Sequence, residues 1–268
     1  MTTLPQVGKY ETLEQIGTGG FGVVYKARDP HIQRLVAIKL CTSRNEEVRK
    51  RFLREAKIAG NLQHASIVTL FDLGFSDHGP YLVQEYLTGE DLEAKIARQE
   101  PLPQAQRLEI LARIAAGLRH AHEQGVLHRD VKPANVRILD DGRVKILDFG
   151  IAKLFGAETQ LTKKGTILGT AGYLAPEQIS GREVDERTDV FAFGVLAYEL
   201  LAYEHPFPGE KIRDVLRQVL EADPKPIPGL RPELPPEIAD LVSRCLEKDR
   251  EKRPAGFGEI EDVLAPFV

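Results

Sequence analysis

With 268 residues, 42% of them hydrophobic, the chain is long enough to bury a sizeable core as one large domain or two joined lobes. Its 36 basic and 40 acidic side chains leave a net charge of −4, which argues against disorder and against a general binder of nucleic acid or anionic membrane. Cys41 and Cys245 match no metal or redox spacing, the N-terminus lacks an apolar signal core, and no run approaches the ~18 apolar residues of a membrane span, so a cytoplasmic protein, or the cytosolic part of a longer membrane-anchored one, is expected.

Short runs rich in β-branched and aromatic residues come first, at 10–16, 22–27, 35–40, 67–71 and 81–87, and predict strands. One helix interrupts them at 46–60, with Val48, Phe52, Leu53, Ala56 and Ile58 at helical spacing. The texture changes near residue 88, after which helices dominate. In 104–123, Leu108, Leu111, Ile114, Ala115 and Leu118 form one apolar stripe, and Gly125 follows as a stop. The stretch 188–202 is apolar nearly all round and predicts a buried helix; others are expected near 211–221, 236–247 and 257–264. The pattern is a strand-rich lobe followed by a larger helical one, with an active site expected in the cleft between them.

Gly17-Thr18-Gly19-Gly20-Phe21-Gly22 is a GxGxxG motif whose glycines let backbone approach phosphates closely. A dinucleotide site would open a helix here, but Val23 to Ala27 continues as a strand and a turn at Asp29-Pro30 leads to another. That next strand carries Val36-Ala37-Ile38-Lys39, and a lysine inside an apolar strand needs a partner. Glu55 in the following helix is the expected partner, with Glu47 as its competitor. His128-Arg129-Asp130 is followed four residues later by Asn135, then by a turn at Asp140-Asp141-Gly142, a strand at 144–147 and Asp148-Phe149-Gly150. A carboxylate with a carboxamide suits a hard cation, and a further carboxylate can accept a proton from an attacking hydroxyl.

In this order the motifs, ending with Ala175-Pro176-Glu177, make the chain resemble a eukaryotic-like protein serine/threonine kinase of the kind also found in bacteria, from about Tyr10 to the C-terminus. The resemblance implies an α+β, bilobal protein kinase fold. A small antiparallel-sheet N-lobe with one main helix (1–87, with the glycine-rich loop and hinge) would join a larger, mainly helical C-lobe (88–268, with the catalytic loop and activation segment) in a single kinase domain. It implies transfer of the γ-phosphate of ATP to serine or threonine hydroxyls, with Mg2+, or Mn2+ in its place. Asp130 would be the base, Lys132 would neutralise γ-phosphate charge, and Asn135 and Asp148 would ligate the metal. The nucleotide would meet Ile16, Gly17, Thr18, Gly19, Gly20, Phe21, Gly22, Val24 and Ala37, and Lys39 paired with Glu55. Backbone groups of Glu85 and Leu87 in the hinge would bond the adenine, Asp91 would contact the ribose, and Gln84 would be the gatekeeper.

Thr162, then Thr166, is the expected phosphorylation site in the loop, with Arg129 as counter-charge. Thr170 would lie near Asp130 and Lys132. Glu177 with Arg253, and Asp189 behind the catalytic loop, read as structural. The partners implied are ATP, protein substrates and a second copy for trans-autophosphorylation, with no nucleic acid and no membrane in this segment. Two rivals remain open at this point. A pseudokinase is disfavoured because Lys39, Asp130, Asn135 and Asp148 are all present. A small-molecule kinase of the same fold is disfavoured by the full glycine loop and the APE-ended segment.

Overall fold

The computed structural model describes residues 4–149 and 170–268, and the chain divides into two compact units, 1–88 and 89–268. Gly150, Thr162, Thr166 and Gly169 lie outside the described residues.

In the first unit five strands form one antiparallel sheet in the order β1-β2-β3-β5-β4: β1 Glu11–Gly19, β2 Gly22–Arg28, β3 Leu35–Cys41, β4 Leu70–Ser76 and β5 Gly79–Glu85. β1 runs further than the pattern suggested, through the glycine motif to a Gly19↔Gly22 pairing. At Gly22, φ is 154° and a Cβ would lie 2.2 Å from the Leu40 carbonyl oxygen, so only glycine fits that close strand approach. Helix α1, Glu46–Ala59, begins where the Asn45 side chain accepts from the Glu47 and Val48 amides at 2.8 and 3.3 Å. It buries Phe52 and Ala56 against Cys41 and Leu82 of the sheet.

The strand expected at 67–71 starts later, at Leu70. Ile67 and Val68 are buried, at 1% and 8% exposure, and precede β4. Beside them, Glu85 donates its amide to the Thr69 carbonyl and accepts the Thr69 amide on its side chain. That side chain takes the donor a ladder partner would have used.

The second unit is built around α5, Glu186–Ala202, with nearly every side chain buried. Asp185 caps it by accepting from the Arg187 amide at 2.9 Å. Packed around it are α3, Gln104–Glu123, and α8, Pro236–Cys245, while α9, Phe257–Leu264, packs on α3 and α8. Shorter elements precede or connect them: β6 Glu90–Asp91, α2 Leu92–Ala97, β7 Val136–Ile138, β8 Val144–Ile146, α4 Pro176–Ile179, α6 Ile212–Glu221 and α7 Ile227–Leu230. β6, β7 and β8 form a small antiparallel sheet that carries the segments on either side of Asn135. Tyr203, in the left-handed region at φ 57°, ends α5, with the Arg107 and Arg231 guanidinium groups over its ring at 4.7 and 5.5 Å.

Candidate active site

In the first unit, Lys39 on β3 faces α1 and its Nζ lies 3.1 Å from Glu55 Oε1, both side chains being more than nine-tenths buried. Period-2 alternation along β3 and the docked face of α1 bring the pair together. Glu47 instead stays on the exposed face beside Lys50, 3.5 Å away. Phe21, at the tip of the β1–β2 hairpin, packs edge-on against Phe52, and the Lys39 ammonium stands 5.2 Å from its ring centre. Gly19 and Gly20 are exposed, and a Cβ at either would meet nothing within 4 Å. Val24 pairs with Lys39 in the ladder, and Ala37 pairs with Lys26 on one side and Gln84 on the other. Ile16 is 44% exposed, and Leu87 is half-buried.

In the second unit, Asp189 on α5 accepts the His128 amide on Oδ2 and the Arg129 amide on Oδ1, each at 2.7 Å. His122, one further turn along the apolar stripe of α3, brings its Nε2 to 2.8 Å from Asp189 Oδ2. The His128 ring accepts the Asp130 amide at Nδ1 and donates from Nε2 to the Leu147 carbonyl, at 3.2 and 3.0 Å. Burial pushes this imidazole below its usual pKa, which keeps it neutral and consistent with that tautomer. Phe149 packs against it, the ring planes tilted by 45° and the ring centres 4.6 Å apart. One buried aspartate and one buried histidine thus hold the turn from which Asp130 projects. Arg129 in that turn has φ 64° and Asp148 has φ 42°, a region that residues with a side chain seldom occupy.

Around Asp130, Lys132 Nζ sits 3.0 Å from its Oδ2, and Asn135 Nδ2 donates to its carbonyl at 2.8 Å and its carboxylate at 3.1 Å. Lys132 also reaches Thr170 Oγ1 at 3.4 Å. With the Asn135 nitrogen committed to Asp130, the amide oxygen is the atom left to serve a cation. Together with the exposed Asp148 carboxylate it offers the all-oxygen donors that hard divalent ions take. Among the described residues no cluster of three His, Cys, Asp or Glu suits a metal. A carboxamide–carboxylate pair with substrate phosphates is a different and sufficient kind of site for such an ion.

The anchors are more heavily bonded. Arg253 forks onto Glu177 at 2.8 and 3.0 Å, and Thr188 adds a bond to the same carboxylate at 2.9 Å. Burial pushes the Glu177 carboxyl up, but the Arg253 guanidinium outweighs it and holds the group below the usual carboxylate range. Tyr173 hydrogen-bonds Glu199 of α5, and Asp91 pairs with Arg137 at 2.9 Å. The sequence reading singled out neither His122, Arg137 nor Glu199. His122 had a signal, since a polar side chain in register with Leu111, Ala115 and Leu118 must find a buried partner.

Residues 10–265 match the protein kinase domain family, and the chain belongs to it. The strand-rich first unit and the helical second unit are the small and large parts of that α+β fold, and the family's enzymes use ATP and a divalent metal. The chain is 38% identical to serine/threonine-protein kinase PknB of Mycobacterium leprae over 262 residues, covering 94% of this chain and 42% of that one. It is 35% identical to serine/threonine-protein kinase PrkC of Bacillus subtilis over 264 residues, 97% of this chain and 41% of that one. Against serine/threonine-protein kinase PknL of Mycobacterium tuberculosis the identity is 37% over 250 residues, 92% and 62% of the two chains. The chain spans less than two thirds of each of these relatives. No helix among the described residues is long and apolar enough to cross a membrane.

Proposed function

We propose that residues 1–268 form one protein serine/threonine kinase domain that moves the γ-phosphate of Mg-ATP onto protein hydroxyls, its own loop threonines included. The observation that carries this reading is the Asp130 arrangement, a carboxylate held at once by Lys132 and Asn135 with Thr170 beside Lys132. In it Asp130 orients the acceptor hydroxyl and takes its proton, while the Lys132 ammonium offsets charge on the transferred group. Lys39, fixed by Glu55, and the glycine hairpin serve the phosphates, and Val24, Ala37, Glu85 and Leu87 serve the base. Asn135 and Asp148 would hold Mg2+, which when bound supplies charge neutralisation at the phosphates.

Self-phosphorylation at Thr162 or Thr166 is supported by Arg129. Its Nε and Nη1 are buried and hydrogen-bond to nothing among the described residues, a donor set that a phosphate would satisfy. The two buried, unpaired cysteines favour a reducing, cytosolic setting. A second copy of the chain would be the partner for phosphorylation in trans.

The test is incubation of the purified chain with Mg-ATP beside Asp130→Asn, followed by mapping of phosphate by mass spectrometry. Phosphothreonine at 162 or 166 in the parent alone is expected, with turnover in the variant lower by about 10²- to 10⁴-fold. Equal turnover in both proteins overturns the assignment of Asp130.

A further inference from the structure

A cavity of about 610 Å³ opens in the second unit between helix α8 and the segment 223–228, which leads from α6 into α7. Its size is that of a ligand site, and none of its lining residues belongs to the site around Asp130. Tyr198, Ile227, Ala239, Val242 and Leu246 line it and are each at most 8% exposed, so its floor is mainly apolar. Ala239, Val242 and Leu246 recur at helical spacing along α8 and its cap. The neighbouring stripe of that wall is Asp240, Ser243 and Glu247, and Asp223 stands on the other wall.

The 223–228 wall is tied in place. Tyr198 Oη donates to the Lys225 carbonyl at 3.0 Å, while the Lys225 ammonium turns to Glu204, 3.1 Å away. Pro224, Pro226 and Pro228 supply carbonyl acceptors to this wall and no amide donors. The other cations nearby are committed as well. Arg244, the one arginine of α8, pairs with Glu259, and Lys248 keeps its ammonium buried over the Phe207 ring, 3.9 Å from the centre. Among the described residues Asp223, Asp240 and Glu247 form no ion pair.

The cavity thus joins an apolar floor to three uncompensated carboxylates, which complements an apolar side chain flanked by groups that only donate. Arginine and lysine are the side chains with several donors and no acceptor. Asp240 and Glu247 stand about two turns, or about 10 Å, apart along the helix axis, and an extended chain covers that length in about three residues. A small cation meets one of these carboxylates; a peptide with basic residues at that spacing meets both.

We propose that this cavity is a docking site for an extended segment of a partner protein, whose apolar side chain enters between α8 and the 223–228 segment while flanking basic residues pair with Asp223, Asp240 and Glu247. The inference stands apart from the phosphate-transfer reading, because the lining residues have no part in that site and the readout is binding.

The experiment measures, by fluorescence anisotropy, binding of a labelled Arg-Leu-Leu-Arg peptide to the whole chain. The proteins are the parent, Ser243→Trp, Asp240→Asn and the Asp223→Lys/Asp240→Lys double variant, each checked for folding by thermal melting. Saturable binding by the parent is expected, weakened about 10-fold or more by Ser243→Trp or by the double reversal, and about 2- to 5-fold by Asp240→Asn. An Arg-Gly-Gly-Arg peptide should bind the parent at least about 10-fold more weakly, because it has no side chain for the apolar floor. No binding by the parent, equal affinity for the two peptides, or unchanged affinity across the folded variants overturns the inference. Octylammonium binding as tightly as the peptide would make this a small-cation site. A parent dimer that Ser243→Trp dissociates in sedimentation equilibrium would make the occupant a second copy of the chain. Either result also overturns it.

Discussion

Two arginines of the second unit, one buried and one half-buried, meet opposite fates. Arg253, with its side chain fully buried, uses every donor it has. Nη1 bonds Glu177 and the Arg187 carbonyl, Nη2 bonds Glu177 and the Lys248 carbonyl, and Nε bonds the Glu247 carbonyl, over distances of 2.8 to 3.3 Å. Arg129 has Nε and Nη1 equally shut off from water and no hydrogen bond to either among the described residues. Burial pushes its pKa down, with the Asp189 charge opposing. A saturated guanidinium fork ties segments together, and nothing more can be asked of it. One without such bonds among the described residues is held in place by the backbone bond that Asp189 accepts from its amide. On the function proposed above, the difference separates a residue that serves the fold from one placed to meet an anion.

The sharpest way to break this contrast is to remove the saturated member. Arg253→Leu leaves the Glu177 carboxylate buried without its counter-charge and should lower stability by about 3–5 kcal/mol in urea denaturation. Adding Glu177→Leu should recover part of the loss. A single variant within about 1 kcal/mol of the parent would show that the fork is not an anchor.

The pH profile gives the next largest effect. His205 accepts the Phe207 amide at Nδ1, and burial pushes its pKa down to about 4. In the native chain it is therefore neutral at a pH where the unfolded chain, with an ordinary value near 6.5, binds a proton. Stability is full above about pH 6.5 and falls by about 3 kcal/mol as the pH drops toward 4. His128, also pushed down by burial, acts in the same direction; Glu199, pushed up by burial, opposes it. The measurement is the melting midpoint from pH 7.5 to 4.5 for the parent and His205→Gln. The variant's curve should be flatter, and parallel curves would exclude His205.

Asp189→Asn should cost about 1.5–3 kcal/mol, the range for hydrogen bonds to a charged acceptor, and lower kcat more than it raises KM. A loss confined to KM would mean that the catalytic turn holds its shape without that carboxylate.

The smallest change in stability belongs to Arg129→Leu, expected within about 1 kcal/mol of the parent because its Nε and Nη1 make no hydrogen bond among the described residues. Its effect should appear in activity: phosphorylating the loop should raise the parent's rate and leave the variant's unchanged. Equal activation of both would remove the anion-site reading and with it the contrast.

How much of this was legible beforehand varies with the kind of residue. The helices at Glu46–Ala59 and Gln104–Glu123 were readable because apolar periodicity and end signals are local. The nomination of Glu55 over Glu47 followed from which face of a helix must dock, and Lys39 lies 3.1 Å from Glu55. The strand at 67–71 was misplaced because β-branched composition reports burial and pairing alike, and only the Glu85 side chain decided between them.

Motif order alone determined that the chain carries kinase signatures, since each signature is a short run whose residue types and spacing are set by the groups it must present. Tertiary structure alone decided the partners no motif pointed to, His122 beside Asp189 and Arg137 on Asp91, and which amides of the catalytic turn Asp189 holds. A side chain's donors and acceptors are visible in a sequence, but which of them are satisfied depends on what folding brings within about 3 Å. Arg129 and Arg253 are the same letter in the chain, and which of their donors are bonded is seen only in the fold.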